Sequence, residues 1–277
     1  MNKSTSVYFC KLAYIPQMTL FQPYPVENFE DAIRDIISPD KSINRYGRTW
    51  RFSLPRNFDG FLAGKLGFVS VGIEKKTNYD EQAMDFTEEI VNARQSNYVY
   101  WILDLHTHIL TFETKTPDIR YQSFRGAFEG FLDYTNGMEI EDLVESTQFN
   151  DWSKSVDSIL TFTANLRAPN PDYSKHPKLV GQILENTNAD KAKIVLKKAK
   201  GYGSLKIEST IQDLVKYGES GYSTISACGE KDGRTKIFDS KKRIPVEKIG
   251  EPLPKDDNSI WKILISAYNK FINRSCS

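Results

Sequence analysis

The stretch from Tyr98 to Lys115 constrains the fold more than any other: Tyr-Val-Tyr-Trp-Ile-Leu-Asp-Leu-His-Thr-His-Ile-Leu-Thr-Phe-Glu-Thr-Lys. Its aromatic and β-branched residues read as two strands around a turn. Two registers compete. A turn centred on His106-Thr107 sets Trp101 opposite Phe112 and Leu103 opposite Leu110, two apolar pairs on one face. The other face then carries Tyr98, Tyr100, Ile102 and Asp104 opposite Lys115, Glu113, Thr111 and Ile109. A turn two residues later pairs Asp104 with Glu113 but removes Ile109 and Leu110 from the strand. Core packing favours the first register.

The same stretch holds candidate chemistry. Asp104, Glu113 and Lys115 have the order of a PD-(D/E)xK nuclease motif, in which two carboxylates hold Mg²⁺ and the lysine orients water and stabilises developing charge. Glu113 and Lys115 share a strand face, as that chemistry needs. In the favoured register, however, Asp104 and Glu113 lie four residues apart along the hairpin, about 13 Å, too far to share an ion. The carboxylates then belong to the solvated polar face of a core hairpin. His106 and His108 form an H-x-H pair without a third ligand nearby, and His176 stands alone; all three read as exposed loop residues.

The remainder of the chain points to an α+β protein of two mixed units with largely antiparallel sheets, residues 1–152 and 153–277, no cofactor beyond Mg in the nuclease case, and no membrane span. At 277 residues with 39% hydrophobic and 26% charged positions, a packed core is expected. No apolar run approaches the ~18–20 residues that a spanning helix needs, and no signal peptide precedes the first strand-like run at 6–15. Cys10, Cys228 and Cys276 are odd in number and far apart, which argues against a disulfide framework or zinc site and suits a reducing cytoplasm. Helical spacing marks 26–37, 123–134, 177–185, 211–217 and 259–273, the last an amphipathic helix capped by Asn258 and packing on its own domain or on a second subunit as a homodimer contact. Residues 49–54, 159–166, 205–207, 222–228, 236–238 and 244–249 read as strands, the last three antiparallel. Gly60, Gly64 and Gly67 divide 61–71 into strand, turn and strand, whereas 81–95 fits either helix or strand. Residues 188–199 fit a short helix capped by Asn188, with Ile194-Val195-Leu196 as a strand alternative.

Charge is uneven. Residues 74–150 carry 6 Lys/Arg and 15 Asp/Glu, and residues 191–248 carry 14 and 7. Lys191, Lys193, Lys197, Lys198, Lys200 and Lys206 cluster, and Lys241-Lys242-Arg243 follows. On a helix Lys193, Lys197 and Lys200 would form a ridge suited to a phosphate backbone, with Tyr202, Tyr217 and Tyr222 stacking on bases. The glycine runs at 201–204 and 218–222 match neither a P-loop nor a dinucleotide fingerprint and read as turns.

The runs Gly64-Lys-Leu-Gly-Phe68, Leu166-Arg-Ala-Pro-Asn-Pro-Asp172, Asn188-Ala-Asp190 and Gly218-Glu-Ser-Gly-Tyr222 resemble an uncharacterised bacterial family of about this length. In layout the chain is distantly similar to the phage-exclusion protein RexA and the B component of the Kiwa antiphage system. The resemblance implies a bacterial antiphage defence protein of the abortive-infection type that binds DNA, as a dimer. Three expectations therefore stand: nucleic-acid binding through the basic segment, a Mg-dependent nuclease, and a non-enzymatic partner in protein interactions.

Overall fold

A computed structural model describes residues 5–14, 18–19, 22–23, 29–80, 84–115, 117–132, 138–169, 178–187, 189–250 and 253–275. The expectations placed on His176, Asn188 and Cys276 lie outside the described residues. In chain order the elements are β1 (Thr5–Tyr14), the short strands β2 (Met18–Thr19) and β3 (Gln22–Pro23), α1 (Phe29–Ile36), β4 (Ser42–Arg45), β5 (Arg48–Phe52) and β6 (Arg56–Phe58). The long strands β7 (Phe61–Asp80) and β8 (Asp85–Asp104) follow, then β9 (Ile109–Thr114), α2 (Tyr121–Leu132), β10 (Met138–Asp142) and α3 (Ser146–Lys154). The chain continues with β11 (Ser158–Arg167), α4 (Lys178–Thr187), β12 (Lys191–Lys197), α5 (Ser209–Glu219), β13 (Ser223–Lys231), β14 (Arg234–Asp239), a 3₁₀ turn (Ser240–Lys242), β15 (Val246–Ile249) and α6 (Asp257–Ser275).

These elements build two large antiparallel sheets, and β2 and β3 pair as a separate two-stranded one. The first has nine strands in the order β10-β1-β9-β8-β7-β5-β4, with β15 beside β1 and β6 beside β7. The second has the order β12-β11-β13-β14. The protein is therefore α+β, as its sequence indicates. The central hairpin adopts the register that apolar matching selects, Trp101 opposite Phe112 and Leu103 opposite Leu110. One face of this sheet, with Cys10, Leu12, Trp50, Trp101 and Phe112, packs under α1 and α2 through Ile33, Ile36, Phe124 and Phe128. The opposite face, with Val7, Phe9, Tyr100, Ile102 and Ile109, lies under α6 through Ile260, Trp261, Leu264, Tyr268 and Phe271.

Gly64 and Gly67 make no turn. They lie inside one continuous strand, where a Cβ on Gly64 would meet the Trp101 ring at 2.7 Å and one on Gly67 would meet the Asn97 carbonyl oxygen at 2.6 Å. Close approach, not chain reversal, explains both. Residues 85–95, ambiguous in sequence, are strand. The β7–β8 pairing runs past the last β5 pair, Thr49–Val69, to Asp80–Asp85, so a two-stranded ribbon projects by roughly 35 Å at the usual rise per residue.

Several expectations are corrected. Residues 191–197 are an edge strand, not a helix. Residues 205–207 have no regular structure. The α6 start is capped by Asp256, whose carboxylate accepts from the Ser259 N–H at 2.8 Å, in place of Asn258. Residues 246–249 pair with β1 and take no part in the second sheet. Two of the three buried clusters cross residue 152: Phe149 and Trp152 of α3 pack with the second sheet, and β15 and α6 return to the first. The apolar stripe of α6, expected as a possible dimer contact, is buried within the chain.

Candidate nucleic-acid interface

The hairpin does not assemble the nuclease motif. Tyr100, not Asp104, lies beside Glu113, and the Glu113 carboxylate accepts from the Tyr100 N–H at 3.1 Å. Asp104 sits four residues further on at the turn, about 13 Å away along the strand. Its Oδ1 accepts from the His106 N–H at 2.8 Å and its Oδ2 from the Thr107 hydroxyl at 2.8 Å and from the Tyr268 hydroxyl of α6. Burial acts to raise its pKa, but these donors outweigh it and hold the carboxyl below its ordinary value. Asp104 thus closes the turn and anchors α6. Lys115 is exposed and leans over the Tyr98 ring, 5.5 Å from its centroid. Among the described residues no group of three or more His, Cys, Asp or Glu is placed to hold a metal ion.

Only the Tyr98 and Lys115 end of the hairpin's polar face is solvated. Tyr100, Ile102 and Ile109 pack under α6, and Thr111 and Glu113 beside them are buried, Glu113 to 5% exposure. Burial pushes its pKa up to about 7, against the Tyr100 N–H and Lys115, which lower it. His106 is exposed, as expected, but His108 is buried, with φ of 58°, stacked on Phe29 at 3.8 Å.

The basic segment presents a different picture. Along β12, Ala192, Ile194 and Leu196 pack toward the second core, and Lys191, Lys193, Val195 and Lys197 are exposed. The alternation Lys-Ala-Lys-Ile-Val-Leu-Lys produces this split because successive side chains of a strand point to opposite faces. Register continues the exposed face inward. Lys197, Val195 and Lys193 lie beside Thr161, Thr163 and Asn165 of β11, and these lie beside Cys228, Ser226 and Thr224 of β13. Ile237, 68% exposed, and Asp239 of β14 complete the face. The reverse side of the sheet, with Phe162, Ala164, Ile225 and Phe238, is buried against α3 and α5. One side of the second sheet is therefore a floor of hydroxyls and amides with lysines along one edge.

Lys191, Lys193, Lys197, Lys198 and Lys200 have no ion pair among the described residues. Lys198 is half-buried; Lys200 and Lys206 are exposed in the loop after β12, and Lys206 is loosely paired with Glu208 at 3.7 Å. At the far edge the 3₁₀ turn is pinned by Ser240, whose hydroxyl accepts from the Ile225 N–H at 3.0 Å. Here Lys241, Lys242 and Arg243 are exposed; Lys242 lies 3.9 Å from Asp239 and Arg243 lies over Phe238. The two basic runs thus lie at opposite edges of the second sheet, with Arg243 turned to the Phe238 side, and no single helical ridge exists. Of the three tyrosines expected to stack on bases, only Tyr202 is exposed; Tyr217 and Tyr222 are buried.

At its Arg167 end this face abuts the edge strand β10 of the first sheet. Arg167, 6% exposed, reaches Glu139 at 2.6 Å and Glu141 at 2.7 Å. A cleft of about 370 Å³ beside this clamp is lined by Arg45, Arg125, Glu129, Asp142, Thr224 and Lys241, among others. Burial raises the pKa of Glu141 and Glu129 despite nearby arginines. Both signs of charge interlock here, so the cleft functions as a polar seam between the sheets. The sequence held no signal for it, because its members come from five separate elements and loops.

Two large antiparallel sheets, three helices on the nine-stranded one and a lysine-edged open face on the other, define an α+β protein with three buried clusters that presents a basic surface. The chain belongs to the DUF4747 family, a domain of unknown function whose profile matches residues 19–269. No curated protein matches the sequence. No helix among the described residues is long and apolar enough to cross a membrane.

Proposed function

We propose that the protein binds the nucleic-acid backbone through the open face of the second sheet, and that this binding serves antiphage defence in the bacterial cytoplasm, the setting its family resemblance implies. The observation that carries the binding reading is the row Lys191, Lys193 and Lys197 on the exposed side of an edge strand, none of them in an ion pair among the described residues. Alternate strand residues are about 6.6 Å apart, a spacing that lets neighbouring ammonium groups meet successive phosphates. Thr161, Thr163, Asn165, Thr224 and Ser226 supply hydrogen-bonding groups that reach phosphate and sugar oxygens without reading sequence. The floor carries no aromatic ring, so contact is with backbone rather than bases.

The test is fluorescence anisotropy on duplex DNA from ~50 mM salt upward, with wild type beside a Lys191→Glu, Lys193→Glu, Lys197→Glu variant. Each phosphate contact contributes about 0.9 to the slope of log K against log salt, so the variant slope should fall by about 3. No binding by wild type at ~50 mM salt, or equal slopes for the two proteins, removes the proposal.

A further inference from the structure

A second surface, on the first sheet, is independent of that reading. The helix α6 begins at Asp257, where Asp257 binds the Lys65 ammonium at 2.8 Å and accepts from the Tyr100 hydroxyl at 2.7 Å. From there α6 runs toward Asp104, so the sheet on the other side of Asp257, toward the projecting ribbon, is uncovered. Register sets Arg51 of β5 beside Gly67 of β7, and Gly67 beside Tyr98 of β8. Arg51 and Tyr98 therefore rise from the same face with a side-chain-free strand between them. Two inter-strand spacings separate their backbones by about 9.6 Å. A planar ring stacked on both would need about 7–8 Å at ordinary carbon contact distances. The slot between them measures about 210 Å³, is bounded at one end by Lys65, and opens past Val69 into a hollow of about 650 Å³ that it shares with Arg51.

The electrostatics of the slot favour an anion. Arg51 and Lys115 are exposed and have no ion pair among the described residues. Lys65 and Lys115 are held over the Tyr98 ring at 5.0 and 5.5 Å from its centroid, and Tyr98 is itself 43% exposed. The wider hollow adds Arg48, Thr49 and Asn44. Cations grouped about an exposed aromatic ring are the chemistry that receives a base on a side-chain plane and its phosphate on neighbouring charge. We infer that the slot over Gly67, between Arg51 and Tyr98, binds a nucleotide, with the base stacked between these two side chains and the phosphate neutralised by Arg51 and Lys115, the Lys65 charge being held by Asp257. The nucleotide is either free or the end of a single strand, and the choice of probe separates these.

Titration calorimetry of the full chain with AMP, hexathymidylate and inorganic phosphate tests this. Binding of AMP at least tenfold tighter than inorganic phosphate supports a free nucleotide, and binding of hexathymidylate without AMP supports a strand end. Arg51→Ala and Tyr98→Ala should each weaken the bound probe by about tenfold or more, and Tyr98→Phe should keep it. Both side chains are exposed enough that thermal melting should match wild type, which separates lost binding from lost fold. The Lys191→Glu, Lys193→Glu, Lys197→Glu variant should bind AMP as wild type does, so the two surfaces stand or fall separately. Three results each overturn the inference: no binding of either nucleotide probe, inorganic phosphate binding as tightly as AMP, or undiminished binding by Arg51→Ala and Tyr98→Ala.

Discussion

Glu113→Gln should stabilise the protein in mild alkali and leave it unchanged in acid. Glu113 is 5% exposed beneath α6, and its folded pKa rises from 4.5 to about 7. The unfolded chain releases this proton near the ordinary value, whereas the folded chain keeps it to about 7. Between those limits the folded state binds more protons, so stability falls as pH rises. Across the whole window the loss is about 3 kcal/mol at 1.36 kcal/mol per pH unit. Glutamine has the same shape and still accepts from the Tyr100 N–H, but it has no proton to lose. Urea unfolding at intervals from about pH 4 to about pH 8, either side of the two pKa values, should show the wild-type and variant curves converging at the acid end and separating to about 3 kcal/mol at the alkaline end. In thermal melts the same difference is roughly 6–12 °C for a chain of this size. Comparing the two proteins cancels the contribution of Glu129, Glu141 and Glu219, whose pKa values are also raised by burial. Parallel curves across the range would refute the reasoning, because a carboxylate that titrates normally is not covered by a helix.

Two further outcomes are expected. Arg167→Met leaves Glu139 and Glu141 without their shared partner, a loss of about 3 kcal/mol, at the low end for a broken buried pair because Glu139 is half-exposed; chemical denaturation measures it, and hydrogen exchange should show β10 losing protection first. Tyr268→Phe removes one donor from Asp104 while keeping the ring on Phe61, for a loss of about 1–2 kcal/mol; a melt identical to wild type would show that the turn carboxylate does not hold α6.

What could be read from sequence was local. The hairpin register followed from matching Trp101 to Phe112 and Leu103 to Leu110, because a slip by one residue would turn every apolar side chain to the wrong face. The basic segment was ambiguous for an equally local reason. Lys191, Lys193 and Lys197 satisfy a period of two, but Lys193, Lys197 and Lys200 also satisfy helical spacing, and Asn188 looked like a cap. The second sheet decided it by offering β11 as a partner. Gly64 and Gly67 misled because glycine serves both turns and close contacts, and only the Trp101 ring and the Asn97 carbonyl distinguish the two uses. The burial of Glu113 and the Arg51–Tyr98 slot depend on where α6 lies, and an amphipathic stripe does not name the surface it will cover.

The pairing of Thr5 with Ile249 and the covering of Phe9 and Ile102 by α6 set a schedule for synthesis. Every strand of the first sheet except β15 has been made once β10 leaves the ribosome, and α6 is complete some 130 residues later. At ~5–20 residues per second the apolar underside of the nascent sheet waits roughly 7–27 s for its cover. During that interval Val7, Phe9, Ile102 and Ile109 form a sticky surface in a crowded cell. Chaperone demand in the host, and the yield of any C-terminally truncated version, should follow from that delay.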